Sequence, residues 1–309
     1  MRTFVAGHNG MVGSAICRQM KSDDLIVASR QEINLEEQDR VERFFEIQRP
    51  DQVILAAAKV GGIHANNTQP ADFIYSNLQI QTNVIHAAYK FGVKKLLFLG
   101  SSCIYPRMAS QPIKEEYLLS GPLEPTNSAY AVAKIAGIKM CESYFRQYGC
   151  NFVSVMPTNL YSGEGDNFDL ESSHVFPALI RKFHEAKTQD LKEVKLWGTG
   201  NAYREFMHVD DMASACLFIM ENLDAKDLYS QGISHINIGT GQDISINHLA
   251  QNIAATIGYK GRIVFDSSKP DGTPKKLLDV SRLNDMGWKH KICLEEGILS
   301  TYNYYKNNV

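Results

Sequence analysis

Along the first half of the chain, short runs of consecutive apolar residues alternate with longer stretches whose apolar positions recur every three or four residues. The runs Thr3–Ala6, Leu25–Ala28, Gln52–Ala57, Lys95–Gly100 and Asn151–Met156 read as strands buried on both faces. Between them Met11–Lys21, Glu37–Ile47, Phe73–Tyr89 and Tyr130–Tyr148 read as helices, the second stopping before Pro50. Strictly alternating strands and helices predict a parallel sheet covered on both sides. Right-handed crossovers then bring every strand's carboxyl end to one edge, where ligands bind.

Beyond Pro157 the pattern loosens. Tyr161–Ser173 is a polar loop long enough to suggest function, Val175–Lys187 and Asp210–Asn222 read as helices, and Arg204–Val209 is short and mixed. His235–Ile238 reads as a strand, Ile246–Ile257 as a helix, Arg262–Phe265 as a strand and Lys269–Gly272 as a turn. With no repeat and no low-complexity linker, the second lobe is expected to interleave with the first. The expected fold is α/β: a Rossmann-type doubly wound parallel sheet of residues 1–160 plus about 208–241, with a smaller substrate-binding α/β lobe of about 161–207 plus 242–309.

Composition narrows the class. At 309 residues, 44% hydrophobic and 21% charged, the chain can bury a large core. A net charge of −2 implies neither a nucleic-acid nor a membrane partner, so an anionic ligand needs a local basic pocket. The six cysteines form neither a CxxC pair nor a zinc spacing, which points to free thiols, no metal and a reducing cytoplasm. Met1-Arg2 leads straight into the first strand, so no signal peptide is expected, and no apolar run reaches membrane length.

Two constellations carry chemistry. Gly7-His8-Asn9-Gly10-Met11-Val12-Gly13 lies between a strand and a helix, where glycines admit a pyrophosphate and the helix terminus favours its charge. No carboxylate precedes Glu32 near the end of the second strand, and Arg30 stands where a 2′-phosphate would be read, favouring NADP over NAD. Farther along, Tyr130 and Lys134 lie one helical turn apart. An ammonium there should favour the tyrosinate and make the phenol a usable proton donor near neutrality. Ser101 can hold the same carbonyl oxygen, and Cys103 beside it hints at a second reaction.

These residues resemble the extended short-chain dehydrogenase/reductases and, within them, the GDP-L-fucose synthase family. The resemblance runs through Ala56–Asn67, Pro70–Asn77, Leu96–Pro106, Leu123–Tyr144, Ser154–Tyr161, Arg204–Ala213 and Ser268–Val280, with GSSCIYP and KPDGTP its most specific parts. It implies Tyr130 as proton donor at C4, Lys134 as its partner on the nicotinamide ribose, and Ser101 as the hydroxyl orienting the carbonyl. Cys103 and His174 would be the base and acid of epimerisation. The cofactor, NADPH, would contact the glycine loop, Arg30, Asn34, Leu35, Ala57, Ala58, Lys59, Leu99, Gly100, Pro157, Thr158, Asn159, Leu160 and His174, with Gly61 and Gly62 nearby. Ser102, Asn159, Lys182, Trp197, Arg204 and Asp271 would join Ser101 and Cys103 on the substrate. The family often has arginines where this chain has Asn9 and Ala28, and an arginine where it has Lys182.

The implied reaction is 3,5-epimerisation of GDP-4-keto-6-deoxy-D-mannose followed by reduction at C4, in a homodimer paired through its long helices. Lys182, Arg204 and Lys275 would hold the diphosphate. A nucleotide-sugar 4-reductase or 4-epimerase without inversion is the nearest alternative, and Cys103 speaks against it. A dehydratase-type relative would want acidic residues where Ser102 and Cys103 stand, and a non-catalytic NADP-sensing module would not need Tyr130 and Lys134.

Overall fold

The computed structural model describes residues 1–170, 173–269 and 271–309, excluding the side chains of Ser22, Ile63 and His64. The chain opens with β1 (Thr3–Ala6), α1 (Met11–Gln19), β2 (Leu25–Ile26), α2 (Gln38–Gln48), β3 (Gln52–Leu55), α3 (Ile63–Thr68) and α4 (Pro70–Lys90). It continues through β4 (Lys95–Leu99), α5 (Ser128–Tyr148) and β5 (Phe152–Pro157). Proline at the first position of α4 lets that helix begin earlier than its apolar periodicity alone predicts. Gly149, at φ +71°, ends α5 in the left-handed region.

These strands and β9 (below) form one sheet in the order β2-β1-β3-β4-β5-β9, every pairing parallel. Pleating sends neighbouring side chains to opposite faces. Phe4, Val53, Leu96 and Phe98 meet a core beneath α4 and α5, whereas Val5, Ile54, Leu97 and Val155 meet one beneath α1 and the helix Val209–Asn222. β2 and β3 lie on opposite sides of β1, so a switch-point crevice opens at its carboxyl end.

The chain then runs β6 (Asn159–Tyr161), α6 (Val175–Thr188), β7 (Glu193–Trp197), β8 (Tyr203–His208), α7 (Val209–Asn222), α8 (Ala225–Tyr229) and β9 (Ile236–Ile238). It finishes with β10 (Asp243–Ser245), α9 (Ile246–Ile257), β11 (Arg262–Asp266), β12 (Lys275–Lys276), α10 (Ser281–Asp285) and α11 (Leu294–Asn308). The stretch expected to be short and mixed is the strand β8, flanked by β10 and β12 along its first half and paired in parallel with β6 along its second. β11 pairs separately with β7. A third core, including Tyr161, Phe176, Phe206, Leu249 and Ile298, binds α6, α9 and α11 together. Leu283 and Trp288 return to the core beneath α7, so the chain crosses between the two bodies several times. Pro270 of the expected turn, and Glu171 and Ser172 of the expected loop, lie outside the described residues. Among the described residues, no helix is long and apolar enough to cross a membrane.

Candidate active site

The site starts where β4 ends. Gly100 packs so tightly that an added Cβ would lie 2.3 Å from Met156 Sδ. Ser101, extended at φ −159°, caps the short 3-10 turn Ser102–Ile104, its Oγ accepting from the Cys103 N–H at 3.3 Å. Serine and cysteine are thereby held side by side at the carboxyl edge.

Helix α5 delivers the other half. It approaches β4 closely because Gly137 has no Cβ; one would lie 2.4 Å from Phe98 Cζ. Lys134 is buried, with Nζ donating to the Leu99 carbonyl at 2.8 Å and lying 5.8 Å from the centre of the Tyr130 ring. Burial pulls this ammonium down to about 7. Tyr130 stands edge-on to Phe73, ring centroids 6.3 Å apart. Burial pushes its phenol up and the Cys103 charge adds to this, while a hydrogen bond with Ser101 pulls the other way. Lys134 was expected to favour the tyrosinate; in the protein alone desolvation dominates at Tyr130 and pushes its phenol up. Tyr130 remains a protonated phenol across the physiological range, as a proton donor must.

Cys103 Sγ receives the Asn127 side-chain N–H at 3.3 Å and faces Lys276 Nζ at 3.8 Å. His174 stands just before α6 without a capping hydrogen bond; the residue is exposed, yet desolvation by surrounding protein lowers its pKa, with the Lys276 charge adding to the effect. Lys276 acts on both proposed epimerisation residues and was not singled out by its sequence. The neighbouring lysine, expected at the diphosphate, pairs with Asp243 at 3.0 Å through Lys275 Nζ. Alternation along β12 separates the two lysines.

At the sheet's switch point the glycine loop is shaped for a dinucleotide. Gly7 has φ +92°, and a Cβ there would sit 2.7 Å from the Ala57 nitrogen. A Cβ on Gly13 would sit 2.1 Å from the Gly7 carbonyl oxygen, so only glycine lets α1 start this close to β1. His8, Asn9, Gly10, Met11 and Val12 stay partly or fully exposed along this cradle. Across it, buried Asn77 clamps Lys59 with two hydrogen bonds, at 3.1 Å to its N–H and 3.0 Å to its carbonyl. Lys59 Nζ pairs with Asp72 at 3.1 Å. Ala58 is half-buried beside them. Pro157 ends β5, and Thr158 and Asn159 both donate to the Glu205 carbonyl, leading into Leu160 on β6.

No carboxylate precedes Glu32 at this strand end, but those that follow fold back on it. Arg30 pairs with Glu36 at 3.1 Å, and Glu32 folds back to accept the Ser29 N–H at 2.7 Å. Asn34 donates to Glu37, and Leu35 offers its carbonyl to Asn83. Arg30 is the exposed partner, its side chain 80% accessible, so it remains available to a phosphate. Beyond the cradle, Gly165 at φ +82° runs so close to α1 that an added Cβ would lie 2.9 Å from Met11 Cα, and Glu164 holds Arg18 of α1 at 2.6 Å while Asp210 holds it at 2.8 Å.

The second lobe supplies a separate cluster. Trp197 stands 67% exposed at the end of β7, with Lys269 Nζ 5.5 Å from its ring centre. Arg204 reaches the Asp271 carbonyl at 3.4 Å, and the Asp271 carboxylate accepts the Thr199 N–H and hydroxyl, each at 2.7 Å. Lys182 is half-buried on α6, where desolvation lowers its pKa. Behind them Glu205 is fully buried, accepting the Gly241 N–H at 2.7 Å and the Leu278 N–H at 3.0 Å. That clip fixes the strand carrying Lys276.

A doubly wound sheet, a glycine cradle and a Ser-Tyr-Lys cluster define a nucleotide-dependent oxidoreductase of sugars, and the chain belongs to the NAD dependent epimerase/dehydratase family, whose model matches residues 3–239. Over 314 aligned residues it is 58% identical to the GDP-L-fucose synthase of Escherichia coli (strain K12), covering 99% of this chain and 97% of that protein. Among solved structures, a GDP-6-OMe-4-keto-L-xylo-heptose reductase from C. jejuni superposes with TM-score 0.93 at 42% identity, covering 100% of this chain and 98% of that one. A GDP-mannoheptose C4 reductase from Campylobacter jejuni with NADP bound gives TM-score 0.90 at 42% identity, covering 99% and 98%.

Proposed function

We propose that the protein converts GDP-4-keto-6-deoxy-D-mannose to GDP-L-fucose, inverting C3 and C5 before reducing C4 with NADPH. The observation that carries this reading is that Ser101, Cys103 and Tyr130 converge on one strand end, so one carbonyl site serves both reactions.

The 4-keto group acidifies the protons on C3 and C5, because the carbanion formed is an enolate. Cys103 removes each proton, and His174 returns one on the opposite face. Ser101 and Tyr130 donate to the oxygen where charge develops. Bound NADPH supplies hydride to C4. Tyr130 then gives its phenolic proton to the C4 oxygen, while buried Lys134 fixes the geometry through Leu99. Trp197 walls the guanine, and Lys182 and Arg204 face the diphosphate.

Residues 1–160 with about 208–241 form the cofactor domain, and the remainder forms the nucleotide-sugar domain. Tyr75 on α4 and Val132 on α5 are 59% and 44% exposed, which favours pairing of these helices in a homodimer.

The test is incubation with GDP-4-keto-6-deoxy-D-mannose and NADPH in deuterated water, read by NMR. GDP-L-fucose with deuterium at C3 and C5 is expected. The second reading, reduction at C4 alone, is motivated by the two Campylobacter reductases. It would give a 4-reduced sugar with C3 and C5 unexchanged, and would overturn the assignment.

A further inference from the structure

Asn127 occupies the residue before α5, where an asparagine side chain ordinarily accepts from the helix's free N–H groups. It makes no such bond. Its Nδ2 instead donates to Cys103 Sγ at 3.3 Å, and its Oδ1 is buried without a partner. Giving up a cap is unfavourable, so an offsetting role at the sulfur is expected.

Lys276 reaches the same sulfur from the second lobe, at 3.8 Å. The other charged side chains near this concavity are neutralised in pairs: Arg107 with Glu124 at 3.2 Å, and Lys275 with Asp243 at 3.0 Å. Among the described residues, no carboxylate pairs with Lys276. Tyr130 and His174, the remaining titratable neighbours, both favour their neutral forms. An amide N–H and an ammonium can only donate. A sulfur between two donors accepts from both, and an anionic sulfur accepts more strongly than a neutral thiol.

We propose that Asn127 and Lys276 form a two-donor cradle that holds Cys103 as a thiolate in the resting protein, with Lys276 a positioning residue supplied by the substrate lobe. This rests on the reading of Cys103 as the base of epimerisation. It also gives the two lobes a shared task, since β12 must be seated before the sulfur has its counter-charge.

The test is alkylation of the substrate-free protein by iodoacetamide across pH, with Cys103 followed at the peptide level. This readout depends on the state of the sulfur and not on which sugar is turned over, so its failure is distinct from failure of the functional reading. Lys276→Met is expected to slow Cys103 alkylation at pH 7 by about tenfold and to move the rate–pH curve to higher pH, whereas Lys276→Arg keeps the wild-type curve. Asn127→Asp, which places a carboxylate against the sulfur, should slow it further than Asn127→Leu. Wild-type curves in both Lys276→Met and Asn127→Asp, or a lower plateau without displacement in pH, would overturn the cradle.

Discussion

Lys134 is buried and Tyr130 half-buried beside it, and desolvation shifts them in opposite senses. The phenol is pushed up, so it stays protonated; the ammonium is pulled down to about 7. Tyr130→Phe keeps the ring against Phe73 and removes only the transferable proton. NADPH oxidation is expected to fall by about 10²–10⁴-fold, with cofactor affinity unchanged in a fluorescence titration. Lys134 carries a cost in stability. An unfolded lysine titrates near 10.4, so between that value and about 7 the unfolded chain binds more protons than the folded one. Stability therefore rises with pH through that window and is insensitive to this group below it. Lys134→Met, filling the same space without charge, is expected to raise the thermal midpoint at pH 7 by about 2–4 °C while abolishing turnover. A lowered midpoint would mean that the bond to Leu99 outweighs the desolvation.

At the scale of elements, α1 depends on Gly13. Gly13→Ala would drive a Cβ to 2.1 Å from the Gly7 carbonyl, a backbone atom with no freedom to yield. The variant is expected to lose about 1–3 kcal/mol in urea denaturation and at least about tenfold in NADPH affinity. A silent Gly13→Ala would mean that α1 can slide without harming the cradle. Strands β1, β3, β4 and β5 were legible in the sequence because they are buried on both faces and therefore almost wholly apolar. Strand β8 was not, because it runs from exposed Tyr203 to buried His208 and owes its place to three partners distant in sequence. The C-terminal helix α11 buries Ile298, Tyr302 and Tyr305, an apolar stripe too sparse to stand out. Among site residues, those on the first sheet were legible as strand ends and helix turns. Lys276 and Asn127 were not: two adjacent lysines look alike until a strand alternates them, and an asparagine before a helix reads as its cap. The same blindness affected Arg30, whose pairing with Glu36 depends on the turn that ends β2 early.

Over the whole molecule, the two bodies are bound by crossings of the chain and by a few polar clips. Glu205 ties β8 to the 241 and 278 backbones, and Asp211 accepts the N–H groups of Lys291 and Ile292 at 2.9–3.1 Å. These clips are buried or half-buried, so salt weakens them little. The Arg18 pairs with Glu164 and Asp210 are more exposed and are the ones that ionic strength loosens.

The close approach of the Gly165 backbone to Met11 has a temporal consequence. The segment lies over the turn of α1 that faces the pyrophosphate position, and the same loop leads to His174 and the sugar. With the dinucleotide on the glycine cradle and the sugar beside His174, as proposed, the dinucleotide would have to settle under this segment before the sugar closes the site. Turnover should therefore be ordered, with NADPH first on and NADP last off. Product inhibition by NADP should be competitive against NADPH and noncompetitive against the sugar nucleotide. Releasing the strap with Arg18→Ala should make the order random, so that either ligand binds the free protein.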